Sequence, residues 1–285
     1  MKSHSIILFL FLFITPLAFG QEVEEDTLSN EKPKPKLERA AFESSSLIDN
    51  QTNVLFNKGT LEMIMNHRFG LINGGENDLA GIWGATNIRI GFAYSITDRI
   101  TVGYGTTKDS RLQDFNLKVG ILRQTRGNEM PVSLTYFGNF TIDARKKENF
   151  FNTQDRYSSF NQLIIARRFS RVISFQVAPS WSHFNIVEDY MHNDVFAVGF
   201  GGRVKISPSM SLMAEYTQPI TTYEMSTPDP GISAGIEFST GSHAFQIYIA
   251  NYKGIVPQQN IMFNQNNFFA GDFLIGFNIT RLWHF

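Results

Sequence analysis

The residues able to do chemistry fall into three groups. The first is local: His183, Glu188, Asp189, His192 and Asp194 lie within one short stretch and carry the nitrogen and oxygen donors that a divalent metal or an acid–base pair needs. Their spacing matches no zinc motif, and an acidic, solvated loop has the same composition. The second is His67 beside Arg68, an imidazole that could ligate a metal or haem, or pack at a membrane interface. The third is dispersed. Glu62, Arg68, Arg89, Asp114, Lys118, Arg168, Arg203, Lys205, Glu215, Glu237 and Asp272 each occupy the polar parity of an alternating stretch. Held inside one closed sheet, five acids and six bases would line a selectivity path or pair into a network that fills it, because an unpaired charge in a confined interior costs several kcal/mol. Serine hydrolysis would need a serine within reach of a histidine. His183 is the one conceivable partner, on a parity shared with Val177 and Trp181, and no serine is expected near its level on the same face of either neighbouring strand. Gly199-Phe200-Gly201-Gly202 is no phosphate loop, since alternation surrounds it and no helix follows.

Such residues need elements to position them. The chain has 285 residues, 25 Lys plus Arg against 26 Asp plus Glu, and no Cys. Balanced charge argues against nucleic acid as a partner, and the lack of Cys excludes disulfides and thiolate metal sites. Aromatics reach 14% and charged residues only 18%, with 27 Phe; that excess requires an apolar surface for the side chains to face. Residues 6–19 form an apolar run behind Lys2 and His4, ending in Ala18-Phe19-Gly20, which predicts a secretory signal peptide over 1–20. Residues 21–57 are acidic, then Lys/Pro-alternating, then Ser/Asn-rich, and are expected to be a flexible periplasmic leader, although the apolar residues of 47–56 could dock at a barrel mouth.

From residue 59 the period becomes two. Twelve segments follow, near 60–69, 86–96, 99–107, 112–123, 131–143, 158–168, 172–184, 194–206, 209–218, 231–239, 243–252 and 271–285. In the second, Ile88, Ile90, Phe92, Tyr94 and Ile96 share one face, and Asn87, Arg89, Gly91, Ala93 and Ser95 the other. A soluble sandwich would turn the apolar face inward and a membrane barrel would turn it outward. The connections favour the barrel: short ones follow segments two, six, eight and ten, and long ones follow all the odd segments except the third. Lumen-parity glycines at 91, 103, 105, 199, 201, 235 and 276 would leave room for water or a ligand. Phe277, Ile279, Trp283 and Phe285 share one face of the last segment, with the two terminal aromatics expected in the interfacial girdle.

Several stretches taken in order carry a family likeness: His67-Arg68-Phe69-Gly70, Asn87-Ile88-Arg89-Ile90-Gly91, Ile96-Thr97-Asp98-Arg99-Ile100, Leu163-Ile164-Ile165-Ala166-Arg167-Arg168-Phe169, Asn193-Asp194-Val195-Phe196-Ala197-Val198-Gly199 and Ile275-Gly276-Phe277-Asn278-Ile279-Thr280-Arg281. Over about 56–285 the chain resembles an uncharacterised family of bacterial outer-membrane β-barrel proteins, a domain of unknown function. The resemblance implies fold and location and transfers no catalytic residue. The last strand also resembles the assembly signal of such proteins.

The expectation is an all-β protein, a transmembrane antiparallel up-and-down barrel of about twelve strands over 58–285, in the outer membrane of a Gram-negative bacterium. Its expected partners are outer-membrane lipid, the barrel assembly machinery and an unknown small solute or ligand. It would act without turnover as a narrow channel or small-ligand-binding barrel. The alternatives are a closed structural barrel that binds a partner through loops 70–85 and 253–270, and an outer-membrane hydrolase. No catalytic residue, metal site or cofactor is assigned.

Overall fold

The computed structural model describes residues 35–285. The expected signal peptide over 1–20 and the leader over 21–34 lie outside the described residues. Twelve strands form: β1 (Thr60–Leu71), β2 (Asn87–Thr97), β3 (Ile100–Thr107), β4 (Leu112–Leu122), β5 (Ser133–Asp143), β6 (Tyr157–Arg168), β7 (Ile173–Phe184), β8 (Asp194–Lys205), β9 (Met210–Pro219), β10 (Gly231–Ser239), β11 (His243–Ala250) and β12 (Leu274–His284). Each pairs antiparallel with its neighbours in sequence, and β1 closes on β12 from Thr60↔His284 to Leu71↔Leu274. Closure leaves no strand edge unpaired, which a sheet in hydrocarbon requires.

Alternation decides which way each strand faces. On β2 Phe92 is 45% exposed while Ser95 is fully buried. Phe115 on β4, Phe175 on β7, Phe196 on β8 and Phe245 on β11 likewise stand outside. Outward aromatics pair across strands, as Tyr104 does with Phe115 at 5.4 Å, and His67 stacks on Phe277 at 4.9 Å. His67 is therefore part of the outer aromatic surface. Phenylalanine supplies much of this outer wall, while Phe42, Phe137 and Phe160 are buried inside.

Connections divide the barrel into two ends. Short turns join β2–β3, β6–β7, β8–β9 and β10–β11, while the longest connection, between β11 and β12, folds α1 (Pro257–Phe263). Proline at its first turn suits a helix start, where the missing N–H has no partner to lose. The helix is turned inward: Gln258, Asn260, Ile261 and Met262 are all buried.

The interior corrects one expectation. Residues 41–54 do not form a solvated leader: Ala41, Phe42, Leu47, Ile48, Asn50, Thr52 and Val54 are all buried. They make a hairpin whose arms pair at Ser46↔Gln51, with Thr52 N donating to Ser45 O at 2.9 Å and Leu47 N to Asn50 O at 2.9 Å. The hairpin lies inside the barrel with its tip at 47–50. Its apolar side chains share a core with Phe137, Phe160, Ile164, Ala178 and Ala197, on the lumen faces of β5 to β8.

Candidate functional site: a filled lumen

The pairing between the hairpin's own arms leaves other backbone groups open, and lumen side chains satisfy them. Glu215 on β9 accepts from three successive backbone N–H groups at the tip, Ile48 at 3.2 Å, Asp49 at 2.9 Å and Asn50 at 3.0 Å. Tyr252 and Ser233 hydroxyls add to the same carboxylate at 3.4 and 3.3 Å. Asn278 Nδ2 donates to Ile48 O at 3.0 Å, Gln246 Nε2 to Ser46 O at 3.2 Å, and Gln176 Nε2 to Gln51 O at 2.8 Å. Lys118 Nζ donates to Ser45 O at 2.7 Å. Ser45 in turn donates to Glu62 at 2.7 Å, and Ser44 donates to Glu237.

Charges close the arrangement. Arg68 pairs with Asp49 at 2.7 Å, donates to Tyr248 at 3.4 Å and lies 4.7 Å over the Tyr252 ring. Arg89 makes a two-bonded fork to Asp114, at 2.8 and 2.7 Å. From the long-loop end, α1 completes the fill: Gln258 Nε2 reaches Asn139, Thr141 and Ser158 at 3.1, 2.9 and 3.2 Å, and Asn260 Nδ2 donates to Asp49 at 2.9 Å. That last bond joins the element entering from one end to the element entering from the other. Among the described residues, a cavity of about 60 Å³ is lined by Glu62, Arg68, Arg89, Asp114 and Lys118, room for a few waters.

The structure places the charged residues chosen from sequence as follows. Glu62, Arg68, Asp114, Lys118, Arg203, Glu215 and Glu237 are buried inside the barrel, and Arg89 is partly buried beside them. Arg168 and Lys205 end β6 and β8 at the short-turn rim, paired with Glu38 at 3.8 Å and Glu43 at 3.1 Å. Asp272 departs from its expected place on the lumen wall. β12 begins at Leu274, and Asp272 lies in the preceding loop, accepting from Asn73 at 2.7 Å. Phe277 and Ile279 face outward on β12, while Phe285 is 84% exposed just past its end.

Small lumen residues have a defined role. A Cβ built on Gly201 would meet Leu47 of the hairpin, one on Gly199 would meet Asn50, and one on Gly120 would meet Leu55. The space expected for water or a ligand is taken at these positions by the chain itself. Elsewhere it is taken by long wall side chains, Arg89 against Gly105 and Tyr248 against Gly276.

Hydrolase geometry needs one correction. Register pairs Ser159 on β6 directly with His183 on β7, so a serine does share its face and level. The histidine is nevertheless committed elsewhere, with Nδ1 2.9 Å from Asp194 and Nε2 2.8 Å from Asn185, so neither nitrogen is directed at a nucleophile. Among the described residues no three His, Asp or Glu side chains gather to hold a metal ion.

At the entry of the hairpin Glu43 forms ion pairs with Arg203 at 3.0 Å and Lys205 at 3.1 Å. Burial alone would raise its carboxyl, but the two cations outweigh it and hold the group below its ordinary value of 4.5. A depressed carboxyl contributes stability that is present above the unfolded value and lost as pH falls through the folded one. The Glu43 contribution at the hairpin entry is therefore expected to be lost as pH falls below about 4.5. Proteolysis within residues 38–46 followed against pH checks this, and Glu43→Gln should remove the dependence.

No curated protein matches the chain. Among solved structures, the NanC porin aligns with a TM-score of 0.48 at 6% identity, covering 79% of this chain and 99% of that one. An outer membrane channel from Pseudomonas putida F1 aligns with a TM-score of 0.49 at 11% identity, covering 81% and 97%. Variants of the Rhodopseudomonas blastica porin align over 69% of this chain and 55% of theirs, with a TM-score of 0.34. The closed twelve-stranded sheet with its apolar outer wall has a counterpart at the level of sequence families, since residues 42–283 match one described as a membrane bound beta barrel domain (DUF5777). The match takes in the lumen hairpin as well as all but the end of the barrel, and the chain belongs to that family.

Proposed function

We propose that the protein is a narrow outer-membrane channel whose resting state is closed by its own N-terminal hairpin, acting by diffusion without turnover. The short-turn end then faces the periplasm and the long loops face outward. One observation carries this reading: the lumen is filled by a separate segment held through side chains, against a wall made small by Gly120, Gly199 and Gly201. A barrel built only as a structural closure would be filled by the side chains of its own strands. Such a segment can leave without breaking one strand-to-strand hydrogen bond.

Planar-bilayer recording tests the proposal. The intact chain should be silent with rare openings, and a chain freed of its hairpin should conduct. In the opened barrel Lys118 and Arg89 face water, so Lys118→Gln should move the reversal potential toward cation preference by removing a lumen cation. An unchanged reversal potential would place the ion path elsewhere. The same proposal assigns β12, with Phe277, Ile279, Trp283 and Phe285, to recognition by the barrel assembly machinery.

A second reading has its own support. Trp83, Phe151 and Phe269 are 71, 96 and 88% exposed on three of the long connections, an apolar display suited to a partner at the outer surface.

A further inference from the structure

At the short-turn end, residues 36–38 run beside the turn that follows β4. Glu38 N donates to Gln124 O at 2.8 Å, and Arg126 N donates to Lys36 O at 2.9 Å. This pairing brings Arg39 into the same hollow as Arg126, Arg168 and Arg171, a space of about 600 Å³. The acid among the lining residues is Glu38, 3.8 Å from Arg168 and already accepting from the Arg39 backbone at 2.8 Å. Four guanidinium groups thus face one carboxylate.

Guanidinium groups gathered without matching counter-charge repel one another, and an anion that bridges them relieves the repulsion. Their planar fork of donors binds the oxygens of a carboxylate or a phosphate in pairs, and a phosphate carries enough oxygens to take forks from more than one arginine at once. The hollow also has an apolar margin. Phe169 lines it and is 59% exposed, and the next residues toward the outer wall, Val172 and Ile173, are 45 and 50% exposed. Charge meets membrane-facing surface here, at the level where lipid headgroups lie.

We infer that this arginine hollow binds the phosphate group of an anionic glycerophospholipid at the membrane surface on the short-turn side. The phosphate would bridge Arg39, just ahead of the hairpin, to Arg126 and Arg171 of the barrel. The same chemistry would accept a soluble phosphate ester, and the test separates the two sources. It reads binding, so its outcome does not depend on whether the barrel conducts.

The full chain in detergent is incubated with phosphatidylglycerol or phosphatidylcholine and examined by native mass spectrometry, and glycerol phosphate is titrated by calorimetry. Retention of phosphatidylglycerol at about tenfold over phosphatidylcholine, a difference of roughly 1.4 kcal/mol, is expected. The pair Arg126→Gln and Arg171→Gln should abolish the preference. Both side chains are exposed and outside the strands, so the variant keeps its fold, and heat-dependent gel mobility verifies that. Glycerol phosphate binding with the same sensitivity to the variant, and no phosphatidylglycerol preference, would support the phosphate site and assign it to a soluble ligand. Equal retention of both lipids with no glycerol phosphate binding, or a preference that survives the double substitution, would overturn the inference.

Discussion

A chain lacking residues 41–56 should conduct ions across a bilayer where the intact chain does not. The deletion removes the hairpin and leaves every strand pairing of the barrel in place. Glu62, Glu215, Glu237, Arg68 and Lys118 lose hairpin partners but gain water, so the charges are not stranded. α1 still narrows the long-loop end through Gln258, so the current should rise again when residues 255–263 are also replaced by a short polar linker. A point substitution gives the same result without altering chain length. Glu215 holds three backbone N–H groups of the tip, and bonds to a charged acceptor contribute about 1.5–3 kcal/mol each. Glu215→Gln keeps one carbonyl oxygen and loses the charge. A loss of about 3 kcal/mol raises the open population roughly a hundredfold, so brief openings should become frequent. Silent traces from both variants, with folded barrels on the gel, would remove the channel reading.

The second large effect concerns stability. Arg68→Met should destabilise the barrel by about 3 kcal/mol, because it leaves the partly buried Asp49 carboxylate without its cation. Asp49 accepts from Arg68 at 2.7 Å and from Asn260 at 2.9 Å, so the pair ties the hairpin tip to β1 and the tip to α1. Asp49→Asn strands the fully buried arginine instead, at a cost of about 3–5 kcal/mol. The double variant removes both charges and should recover most of the loss, as replacing a buried pair by neutral groups often does. Denaturant midpoints for the four proteins give the coupling directly. Additive single effects would mean that the two groups do not meet in solution.

Period-two alternation made the strands legible. The side of Phe92, Phe196 or Phe245 follows from parity alone, and the boundaries agree because Gly, Pro and Asp clusters end each apolar run. Burial of Glu62, Asp114, Lys118, Arg203, Glu215 and Glu237 follows from the same parity. The hairpin was not legible in this way. Its Ser44-Ser45-Ser46 and Asn50 have the composition of a solvated chain, and only the polar lining opposite them turns that composition into an interior. The signal lay in two places that composition does not join: Leu47-Ile48 within a polar leader, and glycines at 199 and 201 on a lumen face. Register is equally absent from a single sequence, so the pairing of Ser159 with His183 cannot be read from it. Asp272 shows the limit of parity, since a residue beyond the end of a strand has the right count and no wall to stand on.

The central claim is that residues 41–54 occupy the lumen, and the natural lack of cysteine makes it directly measurable. Leu47→Cys is compared with Leu37→Cys for reaction with a water-soluble maleimide in liposomes, since Leu47 is 1% exposed and Leu37 45%. The position at the hairpin tip should react on the order of a hundredfold more slowly, at the rate of local opening, and should speed up when Glu215→Gln is added. Equal rates at the two positions would contradict a hairpin seated inside the barrel.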